Sequence, residues 1–326
     1  MKKAVVLLPV FAGFLWGSSG VFVRTLTAHG MNNYTIIASR MMMAASLLFI
    51  VLLVTGREQL RVRIRDLWIF AGCGIVGMLG LNIFYNESVR LLSLSLAAIL
   101  LSTAPFFALF LSAVIFRERI TRRKIGCLVM AVAGCILASG VIESGSGTGW
   151  SLFGILSGLA SAVFFALYGV FSRFATNRGY STFTILFYSM LMISIALIPI
   201  ADLGKLTGFI AEAPVMHGGF TLLHALCAVV LPYALYSLSL VYMENGRVAI
   251  LAGGGEPVAA FVFGMIFYHE MPTALNLLGL VVTVAALTLM CLSPAAPPAG
   301  SGVTEAAEDA DGGDADETEV TGTAEL

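Results

Sequence analysis

Charged side chains are scarce in this chain of 326 residues, and their scarcity excludes most classes of soluble protein. Asp, Glu, Lys and Arg make up 11% of the residues, whereas hydrophobic residues make up 59%. A soluble domain carries about 25% charged residues. Apolar runs of about 20 residues, the length that crosses a ~30 Å hydrocarbon core, recur along most of the chain. The composition therefore predicts an all-α integral membrane protein embedded in a lipid bilayer.

Cysteine and histidine are also few, which argues against disulfide, metal and haem chemistry. The five cysteines are odd in number, fall in predicted helices and show no metal-ligand spacing. One of the four histidines, His224, lies within a predicted span, so a pair of haem ligands is missing. We expect no metal, no cofactor, no catalytic residues and no nucleic-acid partner.

The apolar runs divide into ten predicted spans with short connections. Lys2 and Lys3 precede the first run, but this run is longer than the core of a signal peptide and no cleavage site follows it, so we interpret it as a retained helix. The predicted spans are 4–24, 34–55, 67–87, 92–116, 124–142, 152–172, 182–200, 218–241, 247–268 and 273–292.

The placement of lysine and arginine predicts the orientation of the spans. If the N-terminus lies in the cytoplasm, most basic residues fall on cytoplasmic segments, above all in the clusters at 57–65 and 117–124. The excess of lysine and arginine on cytoplasmic segments is strong in the first half of the chain and weak in the second. We therefore predict a multi-pass protein of the cytoplasmic membrane with both termini in the cytoplasm.

Two sequence patterns occur twice, which indicates an internal duplication. Pro105 is followed after thirteen residues by Glu118, and Pro257 after thirteen residues by Glu270. The sequence Gly-Val-Phe-Val-Arg at 20–24 recurs as Gly-Val-Phe-Ser-Arg at 169–173. Because each unit holds five spans, an odd number, the two units must be inverted relative to each other. Duplicated units of this kind are typical of transporters with a binding site between the halves.

The chain thus divides into two five-helix units and two flanking segments. The first unit covers 1–142, an external linker covers 143–151, and the second unit covers 152–292. Residues 293–326 begin with a Pro-rich stretch and continue with many acidic residues and no aromatic one. Such a segment cannot form a core, so we expect a disordered acidic cytoplasmic tail.

Two charged residues fall inside predicted spans, where charges are costly and usually functional. Glu256 lies near the middle of the ninth span, between Gly253-Gly254-Gly255 and Pro257. We expect these glycines and this proline, with Pro105 of the fourth span, to break the helices and act as hinges. Glu256 could bind a proton or a cationic group, or remain protonated against a neighbouring helix. Arg40 of the second span could meet an anionic substrate, pair with Glu256, or extend to the outer surface.

Other polar residues within the spans complete the candidate substrate or ion site. Each of them alone could equally serve helix packing. They are Trp16, Ser19, Asn82, Tyr85, Ser102, Tyr168 and Tyr236. Glu118 and Glu270 mark span ends, and we interpret them as a structural signature of the repeat.

In these features the chain resembles the EamA-type group of the drug/metabolite transporter superfamily. The resemblance rests on the ten spans in two halves, the duplicated Pro–Glu spacing, Trp16-Gly17 in span one, Arg40, and the Glu256-Pro257 pair. It covers residues 4–292. The second half has Ser189 at the place of Arg40, and the first half has Ala104 at the place of Glu256, so any chemistry of charges is asymmetric.

The resemblance implies a basket of ten helices around a central cavity and secondary active transport by alternating access. It also implies a small-molecule substrate, commonly an amino acid or related compound that is exported, and an ion gradient such as a coupled proton. It leaves the substrate, the direction, the coupling ion and the oligomeric state open.

Three other functions are less consistent with these sequence features. A carrier of sugar- or nucleotide-linked metabolites would need more basic cavity residues than Arg40. A membrane scaffold that transports nothing would show no substrate counterflow. An intramembrane serine protease would use Ser19, in Gly17-Ser-Ser-Gly20, with His224 within hydrogen-bond reach, but a four-residue motif is weak in a glycine-rich chain.

Overall fold

The structure, a computed structural model, describes residues 2–115, 122–138, 151–243 and 245–292. Regular structure in these ranges is entirely helical. Glu118, the linker residues 143–150 and the acidic tail lie outside the described residues. In chain order, the α-helices are α1 (Lys2–Gly17), α2 (Ser19–Ala28), α3 (Asn33–Thr55), α4 (Leu67–Ala71), α5 (Gly80–Leu91), α6 (Leu94–Leu101), α7 (Ala104–Ile115), α8 (Arg122–Ala138), α9 (Leu152–Asn177), α10 (Thr182–Leu197), α11 (Leu203–Glu212), α12 (Pro214–Ala225), α13 (Leu231–Tyr242), α14 (Asn245–Tyr268) and α15 (Ala274–Cys291).

Most of these helices join into apolar segments of membrane-spanning length. In the described part of the chain, seven segments are long and apolar enough to cross a bilayer: Val6–Ala28, Asn33–Val54, Ile64–Leu91, Leu94–Ile115, Leu152–Asn177, Pro214–Ser239 and Leu251–Tyr268. Three shorter apolar helices, Ile125–Ala138, Thr182–Leu197 and Ala274–Leu289, overlap the predicted spans five, seven and ten. The protein is thus a helical, multi-pass membrane protein.

Helices of the first half pack mainly against helices of the second half. α1 packs on α13 and α14, α3 on α10, α5 on α9, and α8 on α15. The buried cluster around Met41, Leu48, Leu186 and Met190 is shared between α3 and α10 in the same way. The two halves therefore have one common interior, and side chains from both can meet in it.

Two predicted spans are interrupted: the first at a place that the sequence did not predict, and the fourth beside Pro105, where we expected a break. α1 and α2 are separated at Ser18, whose hydroxyl donates a hydrogen bond to the Leu15 carbonyl over 2.6 Å. α6 and α7 are separated at Ser102 and Thr103, immediately before Pro105, where the proline ring cannot continue the preceding hydrogen-bond ladder. Hydroxyl groups thus satisfy backbone carbonyls at both interruptions.

The helix break expected at Gly253–Pro257 is wrong. α14 runs without interruption through this segment, with Pro257 inside it. The reason lies in how closely α1 approaches. A Cβ atom on Gly13 would lie 2.2 Å from the Ala252 carbonyl oxygen, and one on Gly17 would lie 2.5 Å from the Glu256 carbonyl oxygen. Glycines in α1 let the two backbones touch, and this contact supports the helix on both sides of the proline.

The sequence also did not predict α11, between spans seven and eight. Its Leu206 and Phe209 pack into a buried cluster with Leu26 and Met31, at the end of α2. A short amphipathic helix therefore covers this end of the helix bundle.

Candidate functional site

The buried guanidinium group of Arg40 is the centre of a polar cluster. Arg40 is 3% exposed. Its Nη1 donates to Ser19 Oγ over 2.9 Å and lies 3.4 Å from Nε2 of His224, and its Nη2 donates to Asn82 Oδ1. All three partners are neutral, and Nε of Arg40 has no hydrogen-bond partner in the described structure. Arg40 therefore neither pairs with Glu256 nor extends to the surface.

Local structure positions each of the first-half partners. The side chain of Asn32 caps α3 by accepting from the backbone N–H of Thr35, and Arg40 follows two turns later. The interruption at Ser18 places Ser19 at the first turn of α2. Asn82 is fixed because its Nδ2 donates to the Met78 carbonyl over 2.6 Å. The acceptors are therefore held in place before any ligand arrives.

Glu256 is the second charged group of the site, and it is held much more loosely. Its side chain is half-buried in α14, and Gly17 of α1 closely approaches its own backbone carbonyl. Within the described residues, no ion pair joins Glu256 to a basic side chain. Tyr85 and Tyr233 each lie within electrostatic reach of both Glu256 and Arg40. Arg40 and Glu256 thus lie near the same two tyrosines, and no ion pair joins them in the described structure.

Aromatic side chains form one wall of this site. The Trp16 ring contacts Tyr233 edge-on, with centroids 5.2 Å apart, and Tyr236 with centroids 5.9 Å apart. The hydroxyl of Tyr85 is buried and has no hydrogen-bond partner in the described structure. An apolar or aromatic group of a ligand could pack on this wall, and the Tyr85 hydroxyl could bind a polar one.

Two predicted site residues lie outside the Arg40 cluster. Ser102 donates its hydroxyl hydrogen bond to the Ala98 carbonyl of its own helix. The backbone and Cβ of Tyr168 pack against Gly77, in a π-helical stretch at Gly72–Leu79, and its ring stacks on Phe165. Tyr168 still borders the site through its proximity to Tyr233. Ser102 shows no contact with the cluster, because its hydroxyl serves the interruption between α6 and α7.

Glu270 lies at the end of α14 and forms a separate ion pair. Arg24 Nη1 donates to Glu270 Oε1 over 2.7 Å, and the Glu270 carboxylate also accepts the backbone N–H of Leu94 at 3.1 Å and 3.2 Å. The other nitrogens of Arg24 donate to the carbonyls of Val89 and Leu92. Glu270 thus ties together the ends of three spans.

One histidine of the Arg40 cluster was not among the predicted site residues. His224 is the one histidine in a predicted span, and that signal could have identified it. From the sequence, the role open to His224 beside Ser19 was hydrolysis, whereas in the structure Nη1 of Arg40 contacts both of these side chains. The geometry therefore gives no support to a Ser–His nucleophile.

An apolar crevice of about 700 Å³ lies apart from the polar site. It opens between α6, α7, α8 and α9, and residues such as Phe106, Phe107 and Phe110 line it. None of the predicted site residues lines this crevice, and it offers no charged group to a ligand.

In the described residues, no group of three or more His, Cys, Asp or Glu side chains could hold a metal ion.

Comparison with known proteins gives a consistent family match. Residues 3–140 and 152–292 each match the EamA-like transporter family. The pseudopaline exporter CntI of Pseudomonas aeruginosa is 26% identical over 286 residues, which cover 88% of this chain and 95% of that protein. A probable terminal-alkyne amino-acid exporter of Streptantibioticus cattleyicolor is 27% identical over 300 residues, which cover 89% of this chain and 94% of that protein.

A solved crystal structure shares the fold. It superposes with a TM-score of 0.57 at 17% identity, and the match covers 88% of this chain and 96% of the solved chain. At this level of identity the likeness bears on the fold alone.

Proposed function

The chain belongs to the EamA-like transporter family, and from this premise we propose that it exports amino acids or closely related compounds across the cytoplasmic membrane by secondary active transport. The observation that carries the proposal is that Arg40 and Glu256, two ionisable groups near the same tyrosines, both lack an ionic partner among the described residues. Arg40 meets only neutral acceptors, and Glu256 meets no basic side chain among the described residues.

Charges within a membrane span are expensive unless they are paired, so a site that keeps two of them apart favours a ligand that carries both signs. A substrate carboxylate would accept the unused Nε–H of Arg40, which has no partner in the described structure. A substrate ammonium would pair with Glu256. The aromatic wall of Trp16, Tyr233 and Tyr236 would hold the side chain. An amino acid has this arrangement of groups, and the amino-acid exporter of Streptantibioticus cattleyicolor is consistent with it.

The proposed architecture is ten spans in two inverted five-helix repeats, residues 1–142 and 152–292, around a central site. The helix pairings support it, because they occur in matched sets. If spans one to five correspond to spans six to ten, the pairing of α1 with α14 corresponds to that of α9 with α7, and the pairing of α1 with α13 to that of α9 with α5; all four pairings are present.

Local conformations support the same correspondence. Spans three and eight each contain a π-helical stretch, Gly72–Leu79 and Leu226–Val230. Spans two and seven each follow a glycine with positive φ, 74° at Gly30 and 84° at Gly179. Only glycine adopts this conformation at little cost, so the two turns are built alike. Ten spans then leave both termini on the same side of the membrane, and the distribution of basic residues places that side in the cytoplasm.

For the mechanism, we propose that the site opens alternately to the two sides of the membrane. In this scheme Glu256 binds either the substrate ammonium or a coupling proton, but not both at once. A proton that enters from outside would then displace the ammonium and favour release of the substrate to the outside. Competition at one carboxylate is the simplest way to couple export to proton entry.

Counterflow in proteoliposomes tests the proposed function. Vesicles loaded with each unlabelled proteinogenic amino acid should transiently accumulate the labelled form for at least one of them. Arg40→Met should abolish this accumulation, because it removes the carboxylate partner. The matched control is Arg90→Met, since Arg90 is 55% exposed and pairs with Glu87 on the surface. Correctly folded protein without counterflow of any amino acid, or with unchanged counterflow after Arg40→Met, would contradict the proposal.

A further inference from the structure

His224 is a buried side chain whose contacts reach from the second half of the protein into the Arg40 cluster. It lies in the last turn of α12, directly before the π-helical stretch Leu226–Val230, and it is 0% exposed. Its ring stacks on Phe22 of α2, with centroids 5.0 Å apart and an interplanar angle of 10°. Phe220 contacts the same Phe22 ring. The plane of the imidazole is therefore fixed by packing and not by hydrogen bonds alone.

The contact with Arg40 defines the protonation state of this ring. A guanidinium group has donors only, so Nε2 of His224, 3.4 Å from Arg40 Nη1, must act as the acceptor. The proton of the neutral imidazole then lies on Nδ1, which has no partner in the described structure. Arg40 is the charged group that faces His224 at this distance. His224 thus contacts Arg40 as a neutral acceptor.

A neutral acceptor at this position has a specific consequence for Arg40. An acidic side chain there would neutralise the guanidinium group and compete with a ligand carboxylate. An apolar side chain would remove one acceptor from Nη1 and leave the guanidinium group restrained from the first half alone, by Ser19 and Asn82. A histidine that accepts through Nε2 restrains the group and leaves its charge available.

We propose that His224 is a positioning residue that makes the site selective for substrates with a carboxylate. It holds the Arg40 guanidinium so that its unused N–H groups face the ligand, and it acts without touching the ligand. Ser19 and Asn82 restrain the guanidinium from the first half, and His224 does so from the second. The inference rests on the proposed function, in which Arg40 binds the substrate carboxylate.

Three matched ligand pairs that differ only in the carboxylate test this role: L-phenylalanine with phenethylamine, L-leucine with 3-methylbutylamine, and L-lysine with cadaverine. Dissociation constants are measured by calorimetry on the detergent-purified full chain. The quantity of interest is the ratio of acid affinity to amine affinity. A purely structural role of His224 would weaken both members of a pair and leave this ratio unchanged.

Two polar substitutions separate the inference from a folding effect. In His224→Gln the side-chain oxygen can take the place of Nε2, so the ratio should stay within about threefold of wild type. In His224→Asn the shorter side chain reaches only the position of Nδ1, so the ratio should fall at least tenfold, about 1.4 kcal/mol of discrimination. His224→Glu should reduce it at least as much, because the introduced carboxylate occupies Arg40.

The outcomes distinguish the two proposals. Wild-type protein that binds none of the three acids more tightly than its amine contradicts amino-acid recognition by Arg40, and the role of His224 falls with it. Wild-type protein that discriminates, while the Gln and Asn variants keep the same ratio, overturns the role of His224 alone. Equal thermal unfolding midpoints of these two variants would confirm that the comparison concerns folded protein.

Discussion

Arg40 and Glu256 are held in opposite ways, and this difference suggests different roles during transport. Arg40 has three fixed neutral partners, so its position changes little when a ligand leaves. Glu256 is half-buried and has no basic partner among the described residues. A carboxylate without a fixed partner can exchange one cation for another at little cost in broken contacts. Glu256 is therefore the residue at which coupling should be tested.

Glu256→Gln keeps the shape of the side chain and approximates the protonated acid. We expect uphill transport to be lost, because the variant can no longer take up and release a proton. If the ligand of Glu256 is a proton, exchange at equal substrate concentrations should survive, since exchange needs no net proton movement. If Glu256 also binds the substrate ammonium, as in the scheme proposed above, exchange should fail as well and the dissociation constant should rise. Uphill transport and exchange in proteoliposomes provide the two measurements.

As a control, the elution profile and the unfolding midpoint of Glu256→Gln should match those of the wild-type protein, which shows that the variant is folded. Uphill transport at the wild-type rate with an unchanged pH dependence would reject both versions and leave Glu256 as a packing residue.

At the residue scale, the sequence identified both charges but only part of their surroundings. Ser19, Asn82, Tyr85 and Glu256 are recognisable because polar side chains within spans are rare. His224 has the same signal, but its partner Arg40 is 184 residues away, and no local pattern relates the two. Ser102 was grouped with the site although its hydroxyl satisfies its own helix. A polar residue within a span is therefore recognisable as constrained, but the sequence does not tell whether its side chain binds a ligand or a backbone carbonyl.

At the scale of helices, the contact between α1 and α14 depends on two glycines of α1. A Cβ on Gly13 would lie 2.2 Å from the Ala252 carbonyl oxygen. Because this oxygen belongs to the backbone, no side-chain rotation can remove the clash. The same pairing carries Glu256, so any displacement of α14 also moves the site. Stability and transport should respond to this contact together.

Gly13→Ala should destabilise the protein by about 1–3 kcal/mol through overpacking. The expected result is an unfolding midpoint several degrees below wild type. Gly253→Ala in α14 is the matched control, because no heavy atom lies within 4 Å of its added Cβ and alanine favours a helix interior by about 1 kcal/mol over glycine. A Gly13→Ala variant as stable as Gly253→Ala would show that the helices do not cross this closely.

The ion pair of Arg24 and Glu270 joins three spans at one end of the bundle. Both side chains are about one-fifth exposed, at 20% and 21%, and both make further hydrogen bonds to the backbone. A double-mutant cycle with Arg24→Met and Glu270→Gln should therefore give a coupling energy above the ~0–1 kcal/mol that is typical of surface pairs. The measurement is the unfolding midpoint of the four proteins.

The pair of Arg90 and Glu87 gives a comparison within the same molecule. The two residues lie about one turn apart on the same helix, and the Arg90 side chain is 55% exposed. Its coupling energy should be near the ~0.3–0.5 kcal/mol of exposed helix pairs. Equal coupling in the two cycles would mean that the Arg24 pair contributes no more than a surface contact.

The positions of the spans followed from hydropathy and the interruption beside Pro105 from the proline, but the interruption of the first span was not predicted. The ten predicted runs overlap the observed apolar segments because length and composition decide whether a helix can cross a bilayer. The continuity of α14 depends instead on the helix that packs alongside it. Pro257 suggested a break, but α1 supports the helix on both sides of it. Glu118, the counterpart of Glu270, lies outside the described residues, so this part of the repeat signature stays a prediction.

For the whole molecule, packing across the halves makes the orientation of one half dependent on the other. α3 packs on α10, α5 on α9, and α8 on α15. Each half therefore covers helix faces of the other, and neither half alone would bury these faces in the membrane. If the repeats are inverted, connections at corresponding places must face opposite sides of the membrane. The positive-inside bias then places the connection after span two in the cytoplasm and the connection before span eight outside.

Cysteine labelling tests this topology at two exposed positions. Val215, in the first turn of α12, is 92% exposed, and Ile64, between α3 and α4, is 85% exposed. In intact cells, a membrane-impermeant thiol reagent should modify Val215→Cys directly but Ile64→Cys only after permeabilisation. Wild-type protein is the control, since Cys73, Cys127, Cys135 and Cys227 are free but at least partly buried. Modification of both positions in intact cells would contradict the inverted repeat, and the opposite pattern would place both termini outside the cell.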